Sequence, residues 1–203
     1  HEQNARPGLA NKVGARNARV VALTFPSSPL AARVGETVVT GLPLRSAIAD
    51  LANRRATSEG AAQARREAAE RLGVDPEAPT LLVTGGSLGA LHVNESMTGG
   101  ADALPEGAQV VHLTGRGKDE PVRAAVEAAG LSDRWHVIDY LRTMEDALAV
   151  ADLVVCRSGA GTVAEMEALG LPCIYVPLPI GNGEQRLNAK DHVEAGGAQL
   201  IDD

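Results

Sequence analysis

Aromatic side chains are almost missing from this sequence: one Phe, one Trp and two Tyr among 203 residues, or 2%. The core must therefore be filled by Val, Leu, Ala and Ile, a palette suited to parallel sheets covered by Ala-rich helices. Cysteine is as scarce. Cys156 and Cys173 both lie in apolar runs, and a pair cannot make a disulfide framework or a metal centre. A reduced, structural role is expected for both, as in a cytosolic protein. No run of about 18 apolar residues occurs, so no helical membrane span is expected, and no signal peptide is visible. Basic residues are outnumbered, 19 against 26 acidic, giving a net charge of −7. Nucleic-acid binders more often show a basic face. The pairs Arg54-Arg55 and Arg65-Arg66 fall in helical, solvated stretches, so no nucleic-acid partner is expected.

What is present is ordinary for a globular protein: 44% hydrophobic and 22% charged residues. The length suffices for one well-filled domain and part of another. The chain opens on His1 without an initiator Met and stops just after a strand-like stretch, so both ends read as cut. Residues 7–18 are weakly helical, 19–25 ("RVVALTF") and 37–40 read as strands, 46–52 as a helical turn or two, and 60–72 as a charged helix. From residue 80 the pattern is regular. Strands are expected at 80–84, 109–113, 135–138, 153–156, 173–176 and 199–201, with helices near 89–103, 119–129, 144–150, 161–169 and 184–194. This alternation predicts an α/β fold of βαβ units around a parallel sheet. Right-handed crossovers put every strand's C-terminal end on one edge, where ligands of such sheets bind. The loops after Thr84, Leu113, Ile138, Cys156 and Val176 should therefore converge.

Three of those loops carry residues suited to chemistry. The first, "TGGSLGA" at 84–90, joins strand to helix. Its glycines let backbone approach an anion, and Ser87 adds a hydroxyl; glycine there also serves a plain tight turn. No Gly-Lys-Ser/Thr follows, so it is not a Walker A loop. The second, "RSGAGTVAE" at 157–165, again enters a helix. The N–H groups of Gly161, Thr162 and Val163 would lack partners without a cap or a ligand such as a diphosphate. Glu165 stands three residues after Thr162. That spacing fits a capping box and equally a carboxylate accepting from two vicinal ribose hydroxyls. The third, at 176–185, ends in Glu184-Gln185, which could grip sugar hydroxyls or simply start a helix. Together the loops describe a pocket for a diphosphate with polar groups at both ends, the shape of a nucleotide-sugar.

The strings "RSGAGTVAE", "GLPCIYVPLP", "EQRLNA", "TGGSLGA" with Asn94 soon after, and the opening "HEQNARPGLANK" resemble the MurG family of glycosyltransferases, in order and over the whole chain. The resemblance implies a two-domain GT-B fold, with 41–203 as the Rossmann-like UDP-sugar-binding domain lacking its last helices. Residues 1–40 would be the truncated tail of a preceding Rossmann-like acceptor domain. It implies inverting transfer of N-acetylglucosamine from UDP-N-acetylglucosamine to the 4-hydroxyl of the muramyl sugar of lipid I. The product would be lipid II, made for peptidoglycan at the cytoplasmic face of the membrane by a peripheral enzyme that needs no cofactor and no metal. The acceptor-side glycine loop, its histidine, the membrane-facing patch and the general base are all expected in a first half that is not part of this chain. The remaining His92, His112, His136 and His192 are expected to be structural.

By position, the resemblance implies substrate contacts from Asn4, Arg45 (beside the uracil), Ser87 (at a phosphate) and Leu141 (through its backbone, at the uracil edge). It also implies contacts from Ala160, Gly161, Thr162, Val163 and Ala164 at the diphosphate and sugar, Glu165 at the ribose and Gln185 at the sugar hydroxyls. Glu184 departs from relatives with two glutamines and, when ionised, can only accept. Two rival readings are a UDP-N-acetylglucosamine 2-epimerase, for which "HEQN" and "RSGA" are out of place, and a non-catalytic nucleotide-sugar-binding module.

Overall fold

A computed structural model of the chain describes residues 1–86, 89–179 and 183–203. Its centre is a parallel sheet of six strands in the order β5-β4-β3-β6-β7-β8. These are β3 (Thr80–Thr84), β4 (Gln109–Leu113), β5 (Trp135–Ile138), β6 (Leu153–Cys156), β7 (Cys173–Tyr175) and β8 (Ala198–Leu200). Every residue of β4 is buried, as a central strand covered on both faces requires. The order makes this a doubly wound sheet. The chain moves outward through β3, β4 and β5, returns to the other side of β3 with β6, and then runs on through β7 and β8.

Two layers of helix cover it. On one face lie α2 (Ser46–Arg55), α3 (Ser58–Leu72), α6 (Met144–Val150) and α7 (Ala160–Leu169). Their Ile48, Ala68, Leu148, Val163 and Met166 pack with Leu82, Val111, Val154 and Tyr175 of the strands. On the other, α4 (Leu91–Gly99) and α5 (Asp119–Ala128) place Val93, Val122 and Val126 against Val83, Val110, Trp135 and Val155. The alanines of α3, buried at 64, 68 and 69, recur at helical spacing and let it lie close to α6. Arg71 of α3 and Asp146 of α6 close that contact at 2.6 Å. Cys156 and Cys173 are buried free thiols, in keeping with a structural role.

The first forty residues form α1 (Leu9–Gly14) and a two-stranded parallel sheet of β1 (Val20–Leu23) and β2 (Glu36–Val39). Ala15, Val21, Leu23 and Leu30 make a small core of their own, while Ala5 and Phe25 join the main one. Leu9 and Val34 stay 79% and 74% exposed.

Element types agree with the sequence reading, and boundaries shift for local reasons. The expected helix at 89–103 is broken: α4 ends at the Gly99-Gly100 pair and a 3₁₀ turn, Ala101–Ala103, follows. The expected helix at 184–194 is two short pieces, α8 (Glu184–Asn188) and α9 (Lys190–Glu194), meeting at Ala189. The weakly helical 7–18 shrinks to six residues.

Candidate functional site

The strand order reverses between β3 and β6, the point at which the loops of a doubly wound sheet part and leave a crevice. There Thr84 and Cys156 are register partners at the strand ends. Both line a cleft of about 260 Å³, joined by Gly86, Leu113, Gly115, Leu141, Arg157, Thr162, Glu165 and, from outside the sheet, Arg45. The loops after β3, β4, β5 and β6 thus converge as expected. Among the described residues of the loop after β7, none lines this cleft. The loop is tied to it instead by Arg157, whose Nη1 donates to the carbonyls of Val176 (3.0 Å) and Pro177 (3.1 Å). Asp203, after β8, receives the same guanidinium at 2.9 Å.

The N-terminus of α7 points into this region. Its cap position is Gly159, extended at φ −64° and ψ 149°, with no side-chain cap. The Val163 N–H bonds the Gly159 carbonyl at 3.0 Å, so Val163 is not one of the groups left over, as the sequence had suggested. Because the helix starts one residue earlier than expected, the N–H groups without a partner among the described residues are those of Ala160, Gly161 and Thr162. Val163 itself is fully buried in the core, as the apolar face of a ten-residue helix demands. Gly161 is exposed. Among the described residues a Cβ there would meet only Leu42, at 4.0 Å, which leaves room beside the N–H groups. Beneath them Ser158 is wholly buried, and its hydroxyl has no hydrogen-bond partner among the described residues.

The capping-box reading of Glu165 does not hold. No capping box forms: α7 has no side-chain cap, and the Glu165 carboxylate instead accepts from Arg45 Nε at 3.2 Å and Nη2 at 2.9 Å. Arg45 stands at the start of α2, so the bond crosses from the N-terminus of that helix to the middle of α7.

At the far end, Leu141 lines the cleft. The adjacent Tyr140 has its N–H turned onto Asp139 Oδ1 at 2.6 Å, and Arg116 lies 3.6 Å over its ring centroid. Such a cation–π contact stiffens the wall. Ala160 and Ala164 are half-buried along α7. Gln185 lies outside the cleft lining and accepts the Leu178 N–H at 3.0 Å through Oε1. Ser87 lies outside the described residues. Gly86, next to it, sits at φ +80° with its N–H on the Thr84 hydroxyl at 3.2 Å.

The histidines all have structural partners or surroundings. His112 is buried in β4, with Nδ1 accepting from Trp135 Nε1 at 3.3 Å and Nε2 facing Asn94 Oδ1 at 3.0 Å. His192 meets the Tyr175 hydroxyl at 2.9 Å, and His92 faces Asp203 at 3.0 Å. His136 is half-buried.

The model of the glycosyltransferase family 28 C-terminal domain matches residues 80–203, the six-stranded sheet with its loops. The chain belongs to glycosyltransferase family 28. Curated relatives resemble it along its whole length. A Bifidobacterium longum protein is 50% identical over 218 residues, spanning 100% of this chain and 55% of that protein. One from Streptomyces coelicolor is 47% identical over 204 residues, with 52% of that protein spanned. Both are named UDP-N-acetylglucosamine--N-acetylmuramyl-(pentapeptide) pyrophosphoryl-undecaprenol N-acetylglucosamine transferase. The solved structure of Acinetobacter baumannii MurG superposes with a TM-score of 0.72 at 26% identity, over 100% of this chain and 52% of that one. The chain thus spans about half the length of the curated relatives it matches.

Asn4 and Arg45 precede the stretch that the family 28 model matches, yet both touch it. Arg45 does so through Glu165, and Asn4 through Asn188, whose Nδ2 lies 3.2 Å from Asn4 Oδ1. Asn188 and Arg157 were missed as site residues in the sequence. Their signal was there: each sits inside a string that carries the family resemblance, "EQRLNA" and "RSGAGTVAE".

Proposed function

We propose that this chain is the donor-binding part of an inverting glycosyltransferase that moves N-acetylglucosamine from UDP-N-acetylglucosamine to lipid I, making lipid II for peptidoglycan. The observation that carries the reading is the uncapped N-terminus of α7 at the sheet's switch point, with Ser158 unpartnered below it and Glu165 beside it. Three free N–H groups and the positive end of a ten-residue helix favour a diphosphate. Departure of UDP builds negative charge on that diphosphate, and fixed N–H dipoles stabilise charge as it develops. Glu165 accepts from the ribose hydroxyls. Tyr140 and Leu141 form the wall for the base, and Leu141 reads it through the backbone. Ala160, Gly161, Thr162, Ala164, Asn4, Gln185 and Ser87 complete the donor contacts, and Val163, buried with its N–H bonded to Gly159, drops out of them.

The same reading takes residues 1–40 as the tail of an acceptor domain, and the exposure of Leu9 and Val34 supports it. The general base and the membrane-facing surface belong to that domain, and the enzyme works at the cytoplasmic face as a peripheral protein. Among the described residues no helix is long and apolar enough to cross a membrane. The test is titration with UDP-N-acetylglucosamine against UDP-glucose, followed by transfer to a lipid I analogue by the full-length protein. Preference for the N-acetylated sugar and formation of a disaccharide product are expected. Equal binding of the two, or isomerisation of the sugar in place of transfer, would remove the reading.

A further inference from the structure

Asn188 is fully buried, with no exposed surface, and uses both ends of its amide across three segments. Its Oδ1 accepts the Ala5 backbone N–H at 2.8 Å. Its Nδ2 reaches Asn4 Oδ1 at 3.2 Å and the Ser158 carbonyl at 3.3 Å. The orientation is forced. A backbone N–H can only donate, so the atom facing Ala5 must be the oxygen. Nδ2 then faces Asn4 and Ser158, and since an amide NH₂ can only donate, Asn4 must present its own oxygen. The Ser158 carbonyl is a second acceptor, which is consistent. Asn4 is thereby left half-exposed with its Nδ2 unpartnered among the described residues, and that group can only donate.

The backbone around Asn4 is fixed independently. The buried Glu2 carboxylate accepts the N–H of Asn4 at 3.0 Å, the N–H of Gly8 at 2.9 Å and Asn11 Nδ2 at 2.9 Å. Burial opposes ionisation of Glu2, but these donors together outweigh it and hold its pKa below the ordinary carboxylate value. The opening "HEQN" therefore builds a turn and then clamps its last side chain.

We infer that Asn188 is a positioning residue that sets Asn4 as a hydrogen-bond donor toward an oxygen of the transferred sugar and couples it, through Ser158, to the loop that starts α7. This rests on the donor reading above. Asn4 then requires an accepting oxygen on the ligand, hydroxyl or carbonyl, and the two chain segments that meet at Asn188 are held in one register.

The experiment uses the full-length protein. Asn4→Ala, Asn4→Asp, Asn188→Leu and the Asn4→Ala/Asn188→Leu double variant are compared for transfer from UDP-N-acetylglucosamine, alongside amide hydrogen exchange at Ala5. Losing one neutral hydrogen bond corresponds to about tenfold, so Asn4→Asp should lose about as much kcat/KM as Asn4→Ala. The double variant should fall little below either single one. Ala5 exchange should rise about tenfold or more in Asn188→Leu while the β3 and β4 amides keep their protection. Asn4→Asp near wild-type activity, or multiplying losses in the double variant, overturns the inference. If Asn188→Leu does not fold, Asn4→Asp decides alone. If the wild type transfers no sugar, the donor reading fails. The Ala5 exchange then tests Asn188 by itself, and unprotected Ala5 in the wild type, or no change in Asn188→Leu, overturns the clamp.

Discussion

Arg45 and Glu165 meet across the cleft through one oxygen: Nε and Nη2 of Arg45 both donate to Glu165 Oε1, at 3.2 and 2.9 Å. Oε2 is left to accept from another group, and Arg45 is more than half exposed while Glu165 is only 17% exposed. An ion pair with one such open partner adds little to stability, about 0–1 kcal/mol. Its value lies in aiming the carboxylate.

Glu165→Ala should therefore weaken UDP-N-acetylglucosamine binding by about tenfold or more, with a thermal midpoint close to wild type. Arg45→Ala should weaken binding less, because the carboxylate remains. Calorimetric titration and thermal melts on the same three proteins check this. Binding indifferent to Glu165 would take away its role at the ribose, and a large loss of Tm with unchanged affinity would make the pair a structural one.

Stability should fall on mild acidification, and His112 is the main reason. Burial in β4 pushes its pKa down from 6.5 to about 4, and burial lowers His136 and His192 in the same direction. The Trp135 indole N–H, which can only donate, holds Nδ1 as an acceptor, so the proton sits on Nε2 toward Asn94 and the ring is neutral. Between pH 6.5 and about 4 the unfolded chain binds a proton there and the folded chain does not. The stabilisation from His112 is thus complete above 6.5 and is lost as pH drops, by about 1.4 kcal/mol per pH unit for that one group. Urea midpoints measured from pH 7.5 to 4.5 should decline, and His112→Gln should flatten the decline. An unaltered slope in His112→Gln would show that other groups carry it.

The sheet was readable because β3, β4 and β6 are short apolar runs set between helical stretches, and both faces are covered, so burial and sequence pattern coincide. The convergence of the loops after β3, β4, β5 and β6 followed from crossover handedness, whereas the strand order β5-β4-β3-β6-β7-β8 was not legible, because a right-handed crossover can place the next strand on either side. What could not be read was which polar groups find each other. The spacing of Thr162 and Glu165 is the same whether Glu165 caps α7 or turns to Arg45, 120 positions away; only tertiary packing decides. Asn188 escaped for the same reason, since its three partners lie 30 to 184 positions distant and no local period marks them. The helix start moved from 161 to Ala160, which shifted the free N–H set by one residue and removed Val163 from it.

Arg157 should not tolerate lysine. Its guanidinium serves two carbonyls after β7 and the Asp203 carboxylate at once, and its side chain is only 13% exposed. An ammonium cannot span that fork. Arg157→Lys should cost about 1–3 kcal/mol and loosen the loop that begins at Val176. Chemical denaturation with hydrogen exchange at Leu178, whose N–H is held by Gln185, reads both effects. Wild-type stability and an unchanged Leu178 rate in the lysine variant would show that charge alone suffices.

Gly89 gives the sharpest steric prediction, with Gly130 as its control. Both adopt left-handed backbone, at φ +67° and +68°. A Cβ at Gly130 would meet nothing within 4 Å, whereas at Gly89 it would sit 2.1 Å from the Thr114 carbonyl oxygen. That oxygen is already fixed by Asn94 Nδ2 at 3.1 Å, and Thr114 precedes Gly115 in the cleft wall, so it cannot withdraw without moving the site. Gly130→Ala should cost only the backbone strain, about 1–2 kcal/mol. Gly89→Ala adds overpacking and should reach about 2–4 kcal/mol. It should also weaken UDP binding, which Gly130→Ala leaves unchanged. Equal losses in the two variants, measured by urea denaturation, would mean that strain alone accounts for Gly89 and that the glycine loop and the Thr114 carbonyl are not in contact.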